Sequence, residues 1–337
     1  MLEDPVHRFV RGTDHGGHSR ASIENVFGDS TEPDSTPACR VCVRQDGTVT
    51  HTSDVPPVDL SRVIPGIGAH IRHTVRLHPR PGAPGLRDSH IGGPLLWPAA
   101  QEWPRCEAAD CYLYEGAPLI PLAQLTAADL PEITFPGGTD LVQLLWCGGD
   151  WDPEAVRVFW RRAADVTDVL TDLPTSELDD EPMAEEFFPR PCVLDPERVP
   201  EYPWYEELPD ELRTRLRAWV PGPAGEYYPQ LYNEVATAPG FKVGGGMNWS
   251  TTDMPELACT VCGAQPVLLL QLDTYEFDRS GDRVSRWQPL EERHLTHYTP
   301  EYELACEPTG LLIGRGSRAG VFVCSTNPEH WTGFFCQ

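Results

Sequence analysis

Two thiols one turn apart carry the most definite chemistry in this chain: Cys259 and Cys262, in the stretch ACTVCGAQPVLLLQL. Cys-x-x-Cys-Gly is a common way to set two thiolates on one tight turn as half of a tetrahedral zinc site. Thioredoxin-like redox chemistry would need the first thiol at a helix N-terminus, where the dipole lowers its pKa. A glycine, a proline and a leucine-rich run follow instead, which points to metal. The other two ligands must come from a distant strand end, and Cys324 and His330 in VFVCSTNPEHW meet that requirement. Cys336 is the substitute for His330, and buried thiols without a metal are the competing reading. Four protein ligands leave no place for water, so zinc held by Cys259, Cys262, Cys324 and His330 would be structural.

A second group of thiols, Cys106, Cys111 and Cys147, has no histidine after Cys147, where GGDW stands. Either this is a degenerate copy, or a second metal site recruits Cys39 and Cys42 against Cys106 and Cys111. Catalysis finds less support. There is no His-Glu-x-x-His helix motif, Gly-x-Ser-x-Gly elbow or dinucleotide fingerprint. His294 and His297, with Asp253 and Glu256 near the knuckle, are the nearest candidates for a base, and they read more simply as a solvated loop. No catalytic residue is assigned.

The elements that must position these thiols are mostly short β-like runs: HTVRLHP, HIGGPLLWP, APLIPLAQL, DLVQLLWC, AVRVFW, PVLLLQLDTYEF and AGVFVC. Each is bounded by proline or glycine, as strands are. Glycines flanking Ser317 and Arg318 suggest a hairpin joining GLLIGRG to AGVFVC. One helix is indicated where Pro209, Asp210 and Glu211 form an acidic start, Leu212, Leu216 and Trp219 fall at i, i+4 and i+7, and Pro221 follows; its apolar face should pack on a sheet.

His90 to Trp97 (HIGGPLLW) aligns without gaps on Lys242 to Trp249 (KVGGGMNW). Downstream of each come a cysteine pair, an apolar run ending in Gln124-Leu125 or Gln271-Leu272, and a strand-like run ending at Cys147 or Cys324. The expected fold is therefore α+β, mainly β, from an internal duplication. Residues 1–68 read as an irregular extension, 69–170 as the first unit, 171–240 as an acidic connecting segment with one helix, and 241–337 as the second unit with the knuckle. The pairs Gly92-Gly93 and Gly244-Gly245, with Trp97 and Trp249, suit a tight turn entering a strand. The alternative for these six residues is a binding lip for a ligand.

DSHIGGPLLWPAAQEWP followed by APLIPLAQLTAADLP resembles the bacterial YwqG-like family, in its Gly-Gly turn, its Trp-Pro and its Pro-Leu-x-x-Leu-Ala-Gln run. The resemblance covers roughly residues 73–337 and leaves the N-terminal extension unmatched. It also implies the Cys-x-x-Cys, Cys, His order seen here. A more distant similarity, to programmed cell death protein two, implies a protein-binding or chaperone-like role, since its relatives are linked to protecting a ribosomal protein during assembly.

Charge bounds the partners. The 337 residues carry a formal charge of −25, and Lys242 is the one lysine among 26 basic residues. Without a basic stripe such a surface repels phosphate backbones, which excludes nucleic acid. Acids crowd residues 172–211, which suggests a docking belt for a basic protein partner or a solvated connector. No run approaches eighteen apolar residues, and MLEDPVHRFV has acids where a signal peptide needs bases, so a cytoplasmic protein without membrane insertion is expected. The leading expectation is a zinc-stapled adaptor or chaperone-like module. The alternative is a metal-dependent hydrolase with its site between the units.

Overall fold

Twelve strands, the long ones from proline- and glycine-bounded apolar runs, form in a computed structural model that describes residues 51–108, 111–148, 155–179, 185–219, 228–278 and 285–337. In chain order they are β1 Arg72–Arg76, β2 Arg80–Pro81, β3 His90–Ile91, β4 Ile120–Thr126, β5 Leu141–Trp146, β6 Val156–Arg161, β7 Cys192–Val193, β8 Glu197–Glu201, β9 Lys242–Gly244, β10 Pro266–Asp273, β11 Arg318–Cys324 and β12 Thr332–Cys336. Among the described residues four α-helices accompany them: α1 Leu60–Val63, α2 Asp210–Trp219, α3 Tyr228–Ala236 and α4 Pro300–Cys306. The protein is thus α+β and mainly β. Residues 51–68, placed in the irregular extension by composition, hold α1, whose Leu60 is buried.

The strands make two antiparallel six-stranded sheets, ordered β8-β1-β9-β10-β11-β12 and β2-β7-β3-β4-β5-β6. Raising each strand number of the second sheet by six, with β7 passing round to β1, reproduces the first. The first strand of each half has therefore crossed over. β1 lies between β8 and β9, and β7 lies between β2 and β3. The segment between the expected units is accordingly more than a connector, because it supplies β7 and β8.

Residue-level geometry repeats with the topology. β4 bulges between Pro121 and Ala123, and β10 bulges between Leu268 and Leu270, three to one residues before Gln124 and Gln271 in both. Those two glutamines are fully buried. Gln124 Oε1 accepts from Leu96 N–H at 2.9 Å while its Nε2 donates to Asp88 O at 3.1 Å. Gln271 does the same with Asn248 N–H at 3.1 Å and Gly240 O at 3.0 Å. Each glutamine thereby pins the chain on both sides of its Gly-Gly turn. Gly92 and Gly244 hold φ of 65° and 70°, a conformation costly for any residue with a Cβ. The tryptophan that ends each turn meets a phenylalanine on the edge strand of the same sheet, Trp97 with Phe159 at 4.9 Å and Trp249 with Phe335 at 6.4 Å.

The inner faces of both sheets share one core, in which Leu122, Val142 and Leu144 pack with Val243, Leu270 and Val321. α2 does present Leu212 and Leu216 inward, but they pack with Leu60, Ile64, Tyr232 and Val235 of α1, α3 and their turns rather than on a sheet. The expected hairpin before β11 does not form either. Leu311 and Ile313 run into the core as irregular chain, and β11 pairs with β10 and β12.

Replacing Gln271 with Leu should strand the buried Asn248 N–H and Gly240 C=O, at about 1–3 kcal/mol for each orphan. Urea unfolding is expected to show a loss of that order, and a comparable loss for Gln124→Leu. A change under about 0.5 kcal/mol in both, the level of an ordinary surface substitution, would contradict the pinning role.

Candidate metal centre

The knuckle sits immediately before β10, whose first residue, Pro266, faces Cys324 at the end of β11. Cys259 N–H donates to Ala264 O at 2.9 Å and Gly263 N–H to Cys259 O at 2.8 Å, closing a turn that leaves the two thiols within 4.8 Å of each other. Gly263 has φ 72° with open space where a Cβ would stand, so the backbone conformation alone calls for glycine. After β11 the chain turns back to β12, with His330 N–H on Asn327 O at 3.0 Å. Cys259, Cys262, Cys324 and His330 are thus brought together, with ligand atoms all within 4.8 Å of one another.

The donor set fits a metal in three respects. Cys262 Sγ and Cys324 Sγ stand 3.4 Å apart; four ligands at ~2.3 Å around zinc would set sulfurs about 3.8 Å apart. The Asn327 amide, joined by that of Thr326, donates to Cys324 Sγ and brings its thiol down to about 6, which favours the thiolate a metal needs. Finally, His330 Nδ1 is buried and has no hydrogen-bond partner among the described residues. Such an orphan is costly unless something absent here coordinates it. Cys336, the proposed substitute, is not in the group; its Sγ lies near Gln337 O.

A second group occupies the equivalent place in the other half. Cys147 stands four residues past Gln143, the partner of Gln124, as Cys324 stands four past Gly320, the partner of Gln271. Its sulfur lies 3.2 Å from that of Cys111, and Cys106, Cys111 and Cys147 form a three-thiol group within 4.8 Å. Burial first, and then the two neighbouring thiols, push Cys147 well above the usual thiol range. Of the four residues expected for a second site, Cys106 and Cys111 are therefore together, with Cys147 joining them, and Cys39 and Cys42 lie outside the described residues. His294 and His297 belong to neither group. His294 Nδ1 contacts Glu291 O at 2.9 Å, and His297 stacks on Tyr302.

Pattern reading missed a third constellation, a buried charged network at the end of β1. Arg76 is fully buried and binds Glu276 Oε1 at 3.0 Å, Trp287 O at 2.8 Å and Ser53 Oγ at 2.7 Å. His78, also buried, lies 3.0 Å from Glu197 and 2.9 Å from Glu276. His51 stacks on His78 and bridges Asp195 and Glu292, and Arg80 holds Glu292 through two contacts of 2.7 Å. The available signal was Arg76 and His78 at alternate positions of HTVRLHP, polar groups in a run otherwise destined for the core. The network changes the meaning of the acidic belt. Asp195 and Glu197 pair with His51 and His78, Glu207 pairs with the half-buried Arg72, and Glu201 is buried against Lys242 at 2.8 Å. Asp172, Glu185, Glu186 and Glu206 remain on the surface.

Beside the knuckle runs a cleft of about 870 Å³. Gly244, Gly245, Trp249, Leu268 and Ile133 are among the residues that line it. Gly92, Gly93 and Trp97 are not on this cleft. Trp97 is fully buried, and a Cβ on Gly92 would meet Pro189 O at 2.3 Å. No family model matches the chain, and no curated protein matches it.

Burial alone would raise Glu292, yet the hydrogen bond with His51 and the Arg80 guanidinium hold it down at about 2. A carboxylate held below its ordinary value of 4.5 stabilises the fold above that pH, and the contribution fades as pH falls toward 2. Glu292→Gln should therefore cost on the order of 3 kcal/mol at pH 7, and wild type and variant should converge near pH 2. Parallel denaturation curves from pH 7 to pH 2 would refute the network's role.

Proposed function

We propose that the protein is a zinc-stapled protein-binding module of the chaperone or adaptor kind, with a basic protein as its partner. The observation that carries the zinc assignment is the orphaned, buried Nδ1 of His330 beside three converging thiols. Three thiolates and an imidazole are soft and borderline donors, which favour zinc over hard cations. A site closed by four protein ligands contributes folding energy and offers no position to a substrate. The three-thiol group of the first half is a second, less complete candidate for the same metal.

Binding then falls to the surface. The exposed carboxylates of the belt and the net charge of −25 favour a basic partner. The likeness of HIGGPLLWP and APLIPLAQL to the YwqG-like family, and the distant one to programmed cell death protein two, support a role in holding another protein. A reducing, cytoplasmic setting suits the nine described cysteines, all free thiols. Among the described residues, no helix is long and apolar enough to cross a membrane.

One observation favours the hydrolase reading: the cleft lies between Glu132–Thr134 of the first half and Gly244–Met247 of the second, and reaches Ala258 beside the knuckle. The two readings separate on the metal. Elemental analysis should find zinc, with Cys259→Ser carrying one fewer per chain and unfolding at lower denaturant. Cobalt substitution should give the absorption of a closed tetrahedral thiolate site; a five-coordinate spectrum with open positions would favour the hydrolase. Captured partners should be basic and should dissociate steeply with salt. Partners insensitive to salt would remove the acidic surface from the account.

A further inference from the structure

The first sheet is incompletely zipped along the cleft. β9 meets β10 at a single register position, Lys242 with Gln271, and then turns away through Gly244, Gly245 and Gly246. Its counterpart β3 meets β4 at two positions, and Gly92 N–H adds a bond to Leu122 O at 3.0 Å. Among the described residues, Pro266–Leu270 of β10 therefore have no strand partner on the β9 side, while β11 pairs the other side. Of this edge, Pro266–Leu269, about 14 Å long at ~3.4 Å per residue, line the cleft.

The lining suits a strand that brings side chains as well as a backbone. Val267 on the edge is 45 % exposed, Met254 in the same lining is 41 % exposed, and Trp249 and Phe322, also in the lining, stack on each other. Unpaired edges and exposed apolar side chains are features that sheet proteins ordinarily suppress. The charge at the mouth is negative. Arg72 is neutralised by Glu207 at 2.8 Å and Glu132 is held by Arg198, while Glu256 is exposed in the lining with Asp253 exposed beside it.

The geometry points to strand addition: an extended, basic segment of a partner protein pairs with Pro266–Leu269 of β10 in this cleft. Backbone bonds supply affinity, alternate β-branched side chains meet Val267 and Met254, and arginine or lysine in between meets Glu256 and Asp253. This rests on the protein-binding reading above and names the form of the bound segment. The knuckle gains a second purpose from it, since a metal held there would fix the start of the accepting strand.

The test uses a displayed library of random dodecapeptides selected on the full-length zinc-loaded protein. Enriched sequences should alternate β-branched residues with arginine or lysine. Synthetic copies should lose at least tenfold in affinity when alternate backbone amides are N-methylated, and at least tenfold against Val267→Arg. That residue is exposed, so the variant should melt with wild type and report on binding alone. No enrichment, or binders indifferent to both changes, overturns strand addition. Binding that falls steeply with salt but ignores N-methylation keeps the acidic surface and removes the slot. Binding lost on N-methylation but indifferent to salt keeps the slot and removes the electrostatic reading.

Discussion

Neither half of this chain can complete a sheet without the other, because β1 and β7 have exchanged places. β1 is held by β8 and β9, strands more than a hundred residues downstream, and β7 by β2 and β3. Loop closure over such spans must precede most of the stabilising contacts, which makes the topology intrinsically slow to form. The thiol groups act at a shorter range. Each ties the chain before a long strand to the end of that strand's antiparallel partner, so a metal bound there would hold a β10-β11 or β4-β5 pair together before the exchanged strands arrive. Repetition of one such device in both halves follows from repetition of the strand order.

The exchanged strand β1 also carries the buried charge. Arg76 ends it, Glu201 lies on its neighbour β8, and Lys242 opens its other neighbour, β9. Removing these groups from water is expensive, and their mutual attraction only partly offsets that cost. What the arrangement provides is selectivity of register, since a one-residue slip would leave Arg76, Lys242 and Glu201 buried without partners. Gln124 and Gln271 serve the same end with uncharged groups, fixing the turns that precede the long strands. The fold is thus specified less by its apolar faces, which alternate registers could also bury, than by polar groups that only one register satisfies.

Much of this was legible in sequence. The duplication showed in matched octapeptides because glycine, tryptophan and glutamine answer local demands, a turn, a packed corner and a pinned backbone, that leave an imprint at fixed spacing. The Cys259 knuckle was legible for the same reason, and Cys324 and His330 followed from strand ends. The strand exchange was not, since β7 and β2 are two residues long and carry no periodicity. Nor was the charged network. Its members come from residues 51 to 292 and meet only through tertiary closure, so composition read Asp195 and Glu197 as surface acids. Leu311 and Ile313 were read as a strand because burial and β-propensity look alike in a short apolar run.

Lys242, the chain's one lysine, is wholly enclosed with its ammonium on Glu201. The folded surface therefore presents guanidinium groups but no lysine ammonium. Acylating reagents, amine-directed crosslinkers and enzymes that build isopeptide bonds meet no lysine side chain until β9 detaches. The rate at which Lys242 becomes acylated would then read directly how often the exchanged strand and its neighbour come apart.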